Sequence, residues 1–300
     1  MLLQFLSGAR RVLVPGLLCI LAAGCTTTAK LNSFAELSKV GIAYSDAAGA
    51  VIDQAADGSI DADTATLLVT RELEDDPAKR RQALTDQSKA LREQLAVFSR
   101  IRRHQELIKE YFVTLGALAD AGDADSAIGS SAGGIIAALG KLSPGFENLK
   151  FGDQSVKDFT EQAVPLLVAN LRSRALEQEL RTNGKAIDRE LLASEALMGF
   201  LAEKIQADDA AVQGPREADA VFTPYIRGED LPDDWPATRQ AFLERSVDMS
   251  AVGNAQAAAR KLRTALTAAS EGRLAPGQLQ LLVNDLTALV EILENVKGKP

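Results

Sequence analysis

Few side chains in this 300-residue sequence could do chemistry. It has two cysteines, Cys19 and Cys25, and one histidine, His104, beside carboxylates spread along its whole length. A Ser/His/Asp arrangement would have to use His104, which stands between Arg103 and Gln105 with no nucleophile motif around it. One histidine and two cysteines do not make a typical zinc site. His104 is therefore expected as a partly exposed polar residue on a helix. Residues 53–64 put Asp53, Asp57, Gly58, Ile60 and Asp61 at the first, fifth, sixth, eighth and ninth places of a calcium loop. Ala55 at the third place and Thr64 at the twelfth remove two ligands, so tight calcium binding is not expected. Gly140-Lys141 lacks the rest of a phosphate loop, with Ile135 where the earlier Gly belongs and Leu142 where Ser or Thr follows. No cofactor and no catalytic constellation are expected.

The chemistry that remains belongs to Cys25. Arg10 and Arg11 precede an uncharged apolar run from Val12 to Ala23. That run is shorter than the roughly 20 residues that cross a bilayer core. A charged start, a short apolar core and small residues before a cut are the pattern of an export signal. The final four residues, Ala22-Ala23-Gly24-Cys25, resemble the lipobox of bacterial lipoproteins, with Ala22 where Leu is more usual. The resemblance covers the first 25 residues only. It implies a signal peptide at 1–24, cleavage before Cys25, and acyl chains carried on Cys25. In the sorting rule of that family Asp after the anchor retains the protein at the inner membrane. Thr26 therefore implies the outer membrane, with the body facing the periplasm. Removal of 1–24 leaves Cys25 alone, so the mature chain has no disulfide, although an envelope compartment permits one.

The elements that must hang from this anchor read as helices. Aromatics make up 5% of the chain and there is one Trp, which favours helices with small contact residues over a sandwich or barrel. The net charge of −8 becomes about −10 once Arg10 and Arg11 leave, which argues against general nucleic-acid binding. Residues 25–33 are expected as a lipidated tether, 34–212 as the main bundle, 213–236 as a loop rich in Pro, and 237–300 as a closing helical pair on the same bundle. A first helix is expected from about Ser33 to Ala56, stopped by Asp57-Gly58, with Ile60 turning inward. The same order of acid, Gly, polar and apolar residue recurs at Glu271-Gly272-Arg273-Leu274. Between Ala78 and Asp120 a seven-residue apolar repeat (Leu84, Leu91, Phe98, Gln105, Phe112, Ala119) describes a bundle seam. A helix of that span is about 60 Å long. Gly129 and Gly133, four apart, are expected to let two helices approach closely. From Gln154 to Asp208 the spacing is helical again, with Pro165 as a kink or restart and Asn183-Gly184 as an open question.

The fold class expected is an all-α, elongated bundle of long antiparallel helices. Nine Lys and Arg stand against four acids between Ala78 and Glu110, among them Arg100, Arg102 and Arg103. That excess is expected to pair along the helix surface, with contact to an anionic membrane as the sharper alternative. The function expected is a lipid-anchored envelope protein with a non-catalytic structural or adaptor role, presenting helix faces to a protein partner. The alternative is a periplasmic module that holds an apolar or lipid ligand between helices near Gly129–Leu139.

Overall fold

The structure, a computed structural model, describes residues 13–120, 126–151, 153–166, 174–228, 230–274 and 276–298, and within these the side chains from Leu31 onward except at 126–130, 151, 250–251, 276, 278 and 294–298. It is an all-α bundle. Helices α1 (Leu13–Leu73), α2 (Pro77–Asp120) and α5 (Arg174–Glu217) are its long members. Between α2 and α5 lie α3 (Ser126–Leu142), a 3₁₀ turn at Ser143–Phe146, a ribbon of β1 (Lys150–Phe151) and β2 (Gln154–Ser155), and α4 (Val156–Thr160). After α5 come a π-helical turn at Ala218–Phe222, α6 (Thr223–Arg227), α7 (Trp235–Ala251), α8 (Asn254–Ser270) and α9 (Pro276–Gly298).

Hydrogen bonds fix the directions. Tyr44 meets Ser194 and Ser59 meets Asp208, so α1 and α5 run parallel. Lys109 meets Asp46 and Gln94 meets Ser59, so α2 runs against α1. Along α5, Trp235 meets Val221, Arg245 meets Asp209 and Arg263 meets Asp188. Helices α7 and α8 thus form one antiparallel stave, interrupted at Val252-Gly253, and α9 folds back along α1 and α8. The closing part is therefore three helices on the common core, where a pair was expected. Gly253, a poor helix former, sits at the added break.

Helix α1 does not stop at Asp57-Gly58. A mid-helix Gly costs about 1 kcal/mol relative to Ala. Next to it, buried Ser59 donates to Asp208 Oδ2 at 2.7 Å and accepts from Gln94 at 2.9 Å, tying this turn to both neighbours. Ile60 consequently points outward and is 42% exposed, against the inward turn expected of it. Its counterpart, Gly272, is the true stop: with φ +71° it closes α8 as Arg273 N–H donates to Ala268 O and Gly272 N–H to Ala269 O. The internal echo is one of sequence and not of structure.

The stretch 213–236 is not the loop expected from its prolines. Helix α5 continues through Pro215 to Glu217, then widens into the π turn before α6. Pro215 removes the bond to the carbonyl four residues back, and the wider turn follows directly. Upstream, α4 stops at Thr160, before Pro165 is reached, and α5 is described from Arg174, so the helical spacing read from Gln154 is not one continuous helix. Asn183-Gly184 stays inside α5, where a side chain on Gly184 would meet Leu166 at 3.1 Å.

The seam of α2 is half what the repeat suggests. Phe98, Gln105, Phe112 and Ala119 are buried, whereas Leu84 is 53% exposed and Leu91 half-buried. Close helix approach occurs at Gly41 and Gly116 of α1 and α2. A Cβ on Gly41 would lie 2.2 Å from the Phe112 ring, and one on Gly116 would lie 2.4 Å from Ser38 Oγ. Gly133, assigned that role from its spacing, faces open space, and Gly129 falls outside the residues whose packing is described.

Candidate interaction site

Polar groups are buried along α5, and they tie it to α1, α2, α8 and the segments between α2 and α5. Asp188 accepts from Arg263 of α8 at 2.6 Å and from the Val164 N–H at 2.9 Å. Ser194 meets Tyr44 of α1 at 2.5 Å and accepts from Gln105 of α2 at 2.8 Å. Glu195 accepts from Arg260 at 2.7 Å. Glu190 is held by His104 Nε2 at 3.1 Å, by the Ser143 hydroxyl and by Arg189 at 2.9 Å.

His104 is thus fully buried, against the partly exposed position expected, with its ring edge-on to Phe146. Burial alone would raise the Glu190 carboxyl. The hydrogen bonds and charge of His104, with the bonds from Ser143 and Arg189, outweigh it and hold the group below the ordinary glutamate range. Ser143 donates to the carboxylate and not to the imidazole, so the nucleophile–base contact of acyl transfer is missing. This cluster positions helices. Nothing in the flanks of His104 marks it as buried. The clue was the seven-residue register, which puts 104 beside the Gln105 seam position.

The other expected sites fall as follows. Cys25 lies in the part of α1 whose side chains are not described, and residues 25–33, expected as a tether, fall within the same helix. Arg102 pairs with Asp53 and lies 4.0 Å from Glu106, and Arg103 pairs with Glu106 at 3.1 Å and Glu110 at 3.6 Å. Arg100 is exposed and reaches over Gly145 of the 3₁₀ turn. The residues of the supposed calcium loop are helical, and no group of three metal-binding side chains occurs among the described residues. On α3, Ala132 and Leu139 are buried.

What spacing did not disclose is the end of the bundle farthest from the N-terminus. The buried residues of α1 stop at Ala62 and those of α5 at Asp208. Beyond them project two arms, the α1–α2 hairpin and the α5–α6–α7 unit, with a cleft of about 630 Å³ between α1, α5 and α7. Asp57, Asp61, Asp208 and Asp209 line it against Arg216 and Arg245.

Of fourteen exposed large apolar side chains among the described residues, eleven lie at this end. Leu68, Val69 and Leu73 (82% exposed) stand on the first arm. On the second, Phe222, Tyr225 and Ile226 (78% exposed) share one helical face, and Leu243 and Val247 share another. Tyr225 stacks on Trp235, centroids 5.8 Å apart, while the Trp235 indole N–H donates to Val221 O at 3.2 Å. Apolar exposure gathered in one place marks an interaction surface.

The chain matches no family model, no curated protein and no solved structure. No helix among the described residues is long and apolar enough to cross a membrane. What the fold and the site define is an all-α bundle with an apolar, two-armed end.

Proposed function

We propose that the protein is a lipid-anchored component of the bacterial envelope that acts as an adaptor, holding a protein partner at the two-armed end of its bundle. The observation that carries this reading is the gathering of exposed apolar side chains at the end away from Cys25. Forty-eight positions of continuous α1 separate Cys25 from Leu73, about 70 Å of helix. A body anchored at Cys25 would present that end well clear of the headgroups. The anchor rests on the charge, short apolar run and small residues that precede Cys25. Arg102 and Arg103 face carboxylates of the bundle itself, which favours the end of the molecule over its basic flank as the contact surface.

Two measurements test the reading. Cys25→Ser should move the protein from the membrane to the soluble fraction of envelopes. Unchanged fractionation of a normally processed mutant would remove the anchor. A photo-cross-linker at Ile226 should give one discrete protein adduct in intact cells, and the same group at exposed Leu281 should give none. Phe222→Ser with Val247→Ser should abolish that adduct without shifting the melting temperature, because neither side chain is in the core. Equal labelling at both positions would defeat the adaptor assignment.

A further inference from the structure

We infer that the partner segment taken by this end is cationic and amphipathic, a helix carrying Arg or Lys beside an apolar stripe. The inference rests on the adaptor reading and adds the chemistry of its partner. Residues 203–248, which run from the last buried turn of α5 through the second arm to Asp248 of α7, contain eleven Asp and Glu against five Lys and Arg. These 46 positions carry −6 of the chain's net −8. Acid and apolar exposure therefore coincide: Phe222, Tyr225 and Ile226 stand among Asp219, Asp230, Asp233 and Asp234. The cleft at the base of the arms adds Asp57 and Asp61 of α1.

A surface of this kind selects by charge. Complementary potential speeds encounter and excludes like-charged partners, while the apolar contacts supply the residence time. The stacked Tyr225–Trp235 pair sharpens the choice of cation. Tyr225 is 66% exposed and stacked on Trp235 by one face, and with carboxylates on both sides in sequence the pair is a place where a guanidinium stacks and finds acceptors at once. Trp, Tyr and Arg are also the residues in which interface energy concentrates.

The same charge argues against the two other occupants of an apolar tip. An anionic membrane surface would repel it. A second copy would bring another acidic arm, and only the short basic stretch at Lys79–Arg92 could answer it.

Trp235 is the single tryptophan of the chain, so its emission reports on the site directly. The experiment titrates the full chain, reconstituted in neutral phosphatidylcholine vesicles, with a Trp-free helical peptide of Leu and Arg at amphipathic spacing. Empty vesicles serve as the blank. Matched peptides with Glu in place of Arg, and with the same Leu and Arg scrambled, are run beside it. The Leu/Arg peptide should bind at least about tenfold more tightly than either control, and about tenfold more weakly when salt rises from low to high.

Asp219→Asn, Asp233→Asn and Asp234→Asn together should weaken it about fivefold or more. Neutralising Glu36, Asp46 and Asp120 at the other end should leave it unchanged.

Failure of the Leu/Arg peptide to bind, equal binding of the Glu peptide, or indifference to the three Asn substitutions would each overturn the cationic partner. So would self-association of the full chain through the arm, or vesicle insertion of the tip. An Ile226 adduct that persists in cells under any of those results would leave the adaptor reading standing with a partner of other chemistry. Loss of the adduct's position dependence would remove the adaptor itself.

Discussion

Gly41→Leu should cost the bundle about 3 kcal/mol or more, and Gly41→Ala about 1–3 kcal/mol, both read by urea unfolding of the full chain in detergent. The added Cβ would sit 2.2–2.4 Å from three atoms of the Phe112 ring, which is itself fully buried. The ring or the helices must therefore shift at the contact of α1 with α2, where Ser38 also donates to Phe112 O at 2.7 Å. Alanine's better helix propensity, about 1 kcal/mol, returns part of the cost. Gly49 on the same helix supplies the control. A Cβ there meets nothing within 4 Å, so Gly49→Ala should be neutral or stabilise by up to about 1 kcal/mol. Phe112→Ala, which removes the Cγ and Cδ atoms the new Cβ would meet, should relieve Gly41→Ala in the double mutant, at the expense of its own cavity. Equal effects at Gly41 and Gly49 would show that α1 and α2 are not locked here.

Helix content and the buried half of the α2 seam could be read from the sequence, because apolar residues at helical spacing report burial wherever a partner covers them. Phe98, Ile101, Ile108, Phe112 and Leu115 have that cover. Leu84 has the same spacing without the cover, since the hairpin runs past its neighbours, and a one-dimensional pattern carries no record of where a partner helix ends. Gly58 and Gly272 make the same point for helix ends. Both sit in an acid-Gly-polar-apolar string, yet only Gly272 adopts positive φ, because tertiary bonds through Ser59 keep the helix going past Gly58. The prolines of 213–236 misled for a related reason: one proline ahead of a π turn can be absorbed inside a helix. Small-residue spacing pointed to Gly133, which faces open space, whereas close approach falls at Gly41 and Gly116, which no short spacing links although they lie on consecutive helices. The interaction end was hidden for a deeper cause. Its apolar residues are ordinary helix residues in sequence, and only the third dimension shows them uncovered.

Glu190→Ala should destabilise the protein by about 3–5 kcal/mol, since it removes one side of a buried charged cluster and strands the other. His104 has no partner at Nδ1, so losing Glu190 leaves the whole ring without a hydrogen bond, and Ser143 and Arg189 each lose an acceptor. Glu190→Gln keeps the volume and one acceptor oxygen, and should cost less, about 1–2 kcal/mol.

The two variants also differ from wild type in acid. With the Glu190 carboxyl held below its ordinary value in the folded state, its contribution is present above the unfolded value near 4.3 and is lost as pH falls through the folded value. Wild type should therefore lose stability over that acid window, and Glu190→Gln should lose less, so that their unfolding midpoints converge as the pH drops. His104→Ala tests the same link from the other side, because without the imidazole the carboxyl should move back upward and the acid-dependent loss of stability should shrink. Midpoints that stay parallel across pH would mean that Glu190 is held by packing alone, and α5 would then owe its register to the apolar core and not to its buried polar groups.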